Sequence, residues 1–274
     1  MENNKVLETA RKWYAKIPFP KEYAAEFEQL LEEQKDLVCM PFADYDLQEN
    51  KRAYGKNLVM FLYFCQELSE RYEAAGISED ILLSTIEDFV ISVQRNRILR
   101  GSMGVVNASV LANHLSMRLF RLGRMQFCMA GAPVDIPSKG ICAGDPVMDV
   151  HIPAGAPITA SEIDNAFQLA EQFFAKYFPE YHYSYYTCFS WLLDKGLAQF
   201  LKEDSNILQF QKLFEPVYQR EQDAILNFLF LYGIGSREEL RKCDAKTDFA
   251  RKVKEYALSG GIFYNVLGVR AHKN

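Results

Sequence analysis

The hydrophobic pattern changes period once along the chain, at Gly123. Before that point apolar residues recur at helical spacing. In "FPKEYAAEFEQLLEEQ" Tyr23, Phe27 and Leu30 form one stripe, and in "SEDILLSTIEDFVISVQ", with Ser78 as N-cap, Leu82, Ile86, Phe89 and Val93 share a face. Ala108, Leu111, Leu115 and Leu119 extend the same pattern, and no segment alternates as a strand does. After Gly123, Met125 to Met129 reads as a short strand, and strand-like runs then alternate with helices. These are "PVMDVHIP", a helix over 160–177, "YSYYTCFSWLL", a short helix near 196–202, "NILQFQKLF", a helix over 247–258 and "IFYNVLGVRA". Thr159-x-x-Glu162 is a capping box for the helix at 160, and Gly260-Gly261 closes the last helix. "DAILNFLFLYG" carries no decisive period. The expected fold class is α+β: an all-helical N-terminal domain over 1–120, then a mixed-sheet α/β C-terminal domain over 121–274.

Length supports that division, since 274 residues are long for a single core. A formal charge of −5 argues against nucleic acid or an anionic membrane as partner, because an acidic surface gains nothing from counterion release. The opening "MENNKVLETARKWYAKI" has no apolar signal-peptide core, and runs such as "NLVMFLYFC" are too short to span a bilayer, so a cytoplasmic location is expected. The six cysteines include no C-x-x-C pair and read as reduced thiols. His114, His151, His182 and His272 lack local ligand spacing, so no metal site is expected.

P-loop, H-E-x-x-H, G-x-S-x-G and G-x-G-x-x-G patterns are absent from the sequence, which removes the chemistries they carry. Strand parity is more informative. In "VMDVHIP" Asp149 and His151 share one face, with Met148, Val150 and Ile152 opposite. In "YHYSYYTCFSWL" the even positions carry His182, Ser184, Tyr186, Cys188 and Ser190, while the odd ones are mostly aromatic. If both polar faces met in one cleft, Asp149, His151, Tyr186, Cys188 and Ser190 would surround it with groups able to hold or move protons. The plainer alternative is a half-covered sheet with solvated polar residues, and Cys188 as a small core residue.

The segments "RLFRLGRMQF", "VHIPAGAPIT", "CFSWLLD" and "SNILQFQKLF" resemble those of a bacterial acyltransferase-like family. Its members pair a helical N-acyltransferase N-terminal domain with a GNAT-like C-terminal domain. The resemblance implies two adjacent parallel strands, "VMDVHIP" and "YSYYTCFSWL", that splay apart to admit acetyl-CoA or another acyl-CoA. It also implies that "VMDVHIPAGAPITASEIDNAF" holds the pyrophosphate at a helix N-terminus. The junction departs from the usual Q/R-x-x-G-x-G/A: glycine falls at Gly155, Pro153 and Pro157 lack donors, and Glu162 places negative charge where phosphate would sit.

Two functions follow. The first is acyl transfer, with acetyl as the expected group, to the amine of a small molecule or peptide. Here His151 is base or water-holder, Asp149 its orienting partner through a water, and Tyr186 the acid. Val150, Ile152, Gly155, Ala156 and Ser190 contact the cofactor. The second is a GNAT-derived ligand-binding or regulatory module that has lost its cofactor chemistry. Hydrolysis through Cys188 and His151 is a third reading, resting on parity alone. Arg95, Arg97 and Arg100 form a basic cluster that could hold CoA phosphates or simply face solvent.

Overall fold

The computed structural model describes residues 2–155, 158–230 and 236–272, with side chains from residue 5. The chain forms two compact units, Met1–Arg121 and Leu122–Asn274.

The first unit is helical: α1 (Glu2–Lys16), α2 (Ala24–Glu33), α3 (Tyr54–Ala74), α4 (Glu79–Ile86), α5 (Asp88–Arg100) and α6 (Ala108–Leu115). The long α3 is buried nearly all round between Asn57 and Cys65, as expected of a central helix rather than a one-faced one. Its buried polar residue, Asn57, is satisfied by the Tyr45 hydroxyl (2.7 Å) and by donation to the Asn50 carbonyl (2.9 Å). Leu82, Ile86, Phe89 and Val93 are buried, but on two helices: the chain turns at Glu87, between α4 and α5. Ser78 occupies the N-cap of α4 without a side-chain cap bond. Helix α5 ends at Gly101, whose left-handed φ of 70° suits glycine. The following turn lies against α3: Val105 N–H donates to the Tyr54 carbonyl (3.0 Å), and a Cβ on Gly104 would meet Tyr54 at 2.8 Å.

The second unit is built on a six-stranded sheet of order β1-β2-β3-β4-β6-β5, whose short first strand starts in the last residues of the first unit. The strands are β1 (Leu119–Leu122), β2 (Met125–Gly131), β3 (Pro146–His151), β4 (Tyr185–Ser190), β5 (Glu215–Glu221) and β6 (Tyr264–Ala271). Pairing is antiparallel between β2 and β3, β4 and β6, and β5 and β6, while β3 and β4 are parallel. That parallel pair is joined by α7 (Ala160–Tyr177), a βαβ crossover. The shorter helices are α8 (Asn206–Gln211), α9 (Ala224–Leu229), α10 (Arg237–Arg241) and α11 (Asp248–Leu258). Helix α7 packs through Phe167 against Phe127 (5.5 Å between ring centroids) and Tyr186 (4.9 Å). The opposite sheet face carries a core of Ile136, Ile141, Val147, Leu267 and Val269.

Several expectations are corrected. "NILQFQKLF" contains α8, opened by Ser205, whose hydroxyl accepts from Leu208 N–H (3.3 Å). The strand in that region is β5, at the sheet edge and mostly exposed, so it carries no apolar alternation to read. Leu119 belongs to β1, because α6 stops at Leu115 and the chain turns through Met117 at φ 54°. The ambiguous "DAILNFLFLYG" contains the helix α9. The capping box on α7 and the closure of α11 are observed: Thr159 and Glu162 cap each other, and Gly261 N–H reaches the Tyr256 carbonyl (2.8 Å).

Candidate active site

The parallel strands β3 and β4 share two register pairs, Met148 with Tyr186 and Asp149 with Thr187. Beyond these, β3 continues to His151 and β4 to Ser190 without pairing each other. Each strand is held instead by its outer neighbour: Val150 and His151 pair with Phe127 and Gln126 of β2, and Cys188 to Ser190 pair with Gly268 to Val266 of β6. A wedge therefore opens between the carboxyl ends of two strands, with inner backbone groups left to find other partners. Its position, at the carboxyl ends of parallel strands, is where ligands enter α/β sheets.

The register also decides which side chains meet, because paired residues of neighbouring strands point to the same face. Asp149, His151 and Thr187 share one face with Cys128, which pairs with Asp149 across β2 and β3. Met148, Val150, Tyr186 and Cys188 lie on the other. Even positions of β3 align with even positions of β4, so the two polar faces expected to converge are on opposite sides of the sheet. Cys188 with His151 is no dyad for the same reason; moreover, burial drives the Cys188 thiol well above its ordinary range, leaving it protonated and inert.

One charged assembly does form. Asp149 and His151 make direct contact, Oδ2 to Nε2 at 3.1 Å, where strand spacing predicts a bridging water. Their backbones are ~6.6 Å apart, but both side chains lean along the strand. The other carboxylate oxygen of Asp149 accepts from the Thr187 hydroxyl at 2.8 Å, and Thr187 is fully buried. The His151 ring keeps about 37% of its surface exposed. Burial opposes charge on His151, but hydrogen bonds to Asp149 and Cys128 outweigh it and raise its pKa to about 10. The imidazole is thus charged at neutral pH. Thr187 and Cys128 carry no signal in the sequence, because only the strand register brings them to this pair.

Tyr186 is 1% exposed and its hydroxyl accepts from that of Tyr183 (3.1 Å). Burial raises its pKa well above the ordinary tyrosine range, so the phenol stays protonated. Val150 is buried on the Tyr186 face, and Ile152 follows the strand end. Gly155 has φ 131° and open space where a Cβ would stand, while Ala156 lies outside the described residues. The Ser190 hydroxyl accepts from Leu192 N–H (3.1 Å) and so caps the turn that ends β4. At the start of α7, the Glu162 carboxylate accepts from both the backbone N–H and the hydroxyl of Thr159 (2.9 and 2.8 Å), so the helix carries its own anion. Among the described residues, no group of three or more His, Cys, Asp or Glu is placed to hold a metal ion.

A helical unit followed by a mixed sheet whose parallel pair, β3 and β4, parts at its carboxyl end defines a GNAT-like acyltransferase architecture. Residues 5–117 match the N-acyltransferase N-terminal domain and residues 119–270 the GNAT-like C-terminal domain, and the chain belongs to this family. Among solved structures, an acyltransferase in complex with decanoyl-CoA and teicoplanin is similar at TM-score 0.75 and 22% identity, over 96% of this chain and 88% of that one. An acyltransferase mutant with octanoyl-CoA is similar at TM-score 0.76 and 21% identity, over 97% and 88%. Another acyltransferase with decanoyl-CoA is similar at TM-score 0.70 and 23% identity over the whole of both chains. At these identities the likeness is one of fold. Among curated proteins, none matches the chain.

Proposed function

We propose that this protein is an acyl-CoA-dependent N-acyltransferase, in which the wedge between β3 and β4 receives the acyl-CoA and the amine attacks the thioester directly. The observation that supports this most is the parting of β3 from β4 after Asp149 and Thr187 in a member of this family. Unpaired inner strand edges offer donors and acceptors to the amides of an extended pantetheine chain, as a further strand would. Backbone groups of Val150 to Ile152 are assigned to the thioester oxygen, and Gly155 and Ala156 to the phosphates.

The Asp149–His151 pair is assigned the proton of the attacking amine. A histidine held charged must first release its proton, so it accepts one only from the fraction neutral at the working pH. Tyr186 is assigned to protonate the departing thiolate, with Tyr183 donating to its oxygen so that its own hydrogen can point to the sulfur; the burial that raises its pKa opposes this transfer. The acceptor is an amine of a small molecule or peptide. The solved relatives hold octanoyl-CoA, decanoyl-CoA or CoA, which favours a longer acyl group over acetyl.

A second reading, a ligand-binding module without acyl transfer, is favoured by one feature: the N-terminus of α7 is already occupied by Glu162. Calorimetric titration with CoA, acetyl-CoA and decanoyl-CoA, followed by a thiol-release assay against a panel of amines, separates the two. Micromolar binding with amine-dependent thiol release supports the enzyme. A folded protein that binds none of the three at millimolar concentration has no acyl-CoA chemistry, and the module reading takes its place.

A further inference from the structure

The helical unit contains a concave site of its own, distant in sequence from the wedge. A cavity of about 350 Å³ is lined by Lys51, Tyr54, Arg95, Arg100, Asn107 and Ser109 among others, with no acidic residue among the described residues of its wall. Arg97 of α5 does not line it: its guanidinium pairs with Glu26 and lies over the Tyr23 ring. Arg95 and Arg100 face the cavity with Lys51, and Arg100 stacks on Tyr54 at 4.0 Å, which fixes its planar fork. Of the carboxylates close to this wall in sequence, Glu49 is exposed and does not line the cavity, and Asp46 is held by the backbone amides of Gln48 and Glu49 (2.8 and 2.9 Å).

The same wall contains the first turn of α6. Asn107, its N-cap, has the left-handed φ of 56° and makes no side-chain cap bond, and the first turn contains no acidic residue. Val110 and Leu111 N–H turn back to the Asn107 carbonyl (2.8 and 3.2 Å), leaving the leading amides of Ala108 and Ser109 at the positive end of the helix dipole. This is the reverse of α7, which supplies its own carboxylate. Three cations, a positive helix end and a polar wall without acid in a cavity of this size suit a tetrahedral dianion carried on an organic group. The volume exceeds what one phosphate fills, and Tyr54 and Leu99 supply apolar wall for the remainder.

We propose that this cavity binds the phosphoryl group of an organic phosphate. The chemistry is shared by two sources, the nucleotide end of a CoA molecule and a separate phosphorylated metabolite. The site stands whether or not the protein transfers acyl groups.

The test is calorimetric titration with sodium pyrophosphate and with adenosine 3′,5′-bisphosphate, at low and at physiological salt, on the full chain and on two variants. Ser109→Glu puts a carboxylate in the first turn of α6, where it repels a bound anion yet suits the helix dipole; Lys51→Gln removes an exposed cation. The expected result is saturable binding that weakens with salt, falls at least about tenfold in Ser109→Glu and falls less in Lys51→Gln, with the melting temperature of Ser109→Glu unchanged or raised. Competition by CoA assigns the site to the nucleotide end, and binding undisturbed by CoA assigns it to a separate ligand. Absence of binding to either probe at ~10 mM, or equal binding by wild type and Ser109→Glu, overturns the proposal. Failure of acyl-CoA to bind while pyrophosphate does sinks the acyltransferase reading alone.

Discussion

Asp149 and His151 lie two positions apart on one strand, and the charge of the second depends on the first. Replacing Asp149 by asparagine removes the carboxylate that holds the imidazolium, so the His151 pKa should fall from about 10 toward the ordinary histidine value, measurable by NMR titration of the ring. If His151 accepts the amine proton, kcat/KM in the wild type should climb with pH toward that value. Asp149→Asn should move the climb to lower pH, and His151→Gln should leave only the rise set by the acceptor amine's own ionisation. A profile unchanged in Asp149→Asn would exclude His151 as base. Stability carries the same signature. Because the folded pKa is raised above the unfolded one, the pair stabilises the protein fully below about pH 6.5, and that contribution is lost as pH rises toward 10. The stability gap between wild type and His151→Gln in urea should therefore be widest near pH 6 and shrink by pH 10. In sequence, parity alone puts these two residues on one face. Thr187 and Cys128 are not legible there, because a hydroxyl and a thiol become partners of a carboxylate and an imidazole only through register, which follows for Cys128 from pairing across a 14-residue connection between β2 and β3 and for Thr187 from pairing across the α7 crossover between β3 and β4.

At the scale of elements, legibility follows the strength of local chemistry. Helix α7 is readable to the residue because Thr159 and Glu162 determine its start and a continuous stripe runs through Ile163, Ala166, Phe167, Ala170 and Phe174. Thr159→Ala should cost about 1 kcal/mol in urea unfolding, since it removes the hydroxyl that caps Glu162 N–H. The α8 segment reads as a strand because six helical residues give too little period to outweigh their apolar content. Gly104 makes the opposite point: its importance lies in a close approach that sequence does not display. A methyl at that position would stand 2.8 Å from Tyr54 backbone and side-chain atoms, at a φ of 154° that L-residues rarely adopt. Gly104→Ala should lower stability by roughly 1–3 kcal/mol, read as a fall in urea midpoint at constant slope.

Across the whole molecule, the sequence discloses class before chemistry: one change of hydrophobic period separates a helical unit from a sheet unit, and the family matches divide the chain between the same two kinds of domain. For the proposed reaction it leaves open the length of the acyl group, and affinity can measure that length. Among the described residues, apolar Val150 of β3, Ile152 just past its end and, on the other face, Phe189 of β4 lie beyond the last shared pair. If an acyl chain is buried as it passes between these strands, each added methylene should contribute up to about 0.8 kcal/mol, near a fourfold gain in affinity. Titration with acetyl-, butyryl-, hexanoyl-, octanoyl- and decanoyl-CoA should then give a log Kd that falls linearly with chain length and levels off where the chain outgrows its channel. A break near the longer chains assigns a medium-chain donor, and a flat line from acetyl onward means that the chain remains in water. At one fixed ligand concentration the same series raises thermal stability in order of affinity, by about 2.7 kcal/mol where that concentration is a hundred times Kd, so the ranking can be checked by melting without any acceptor amine.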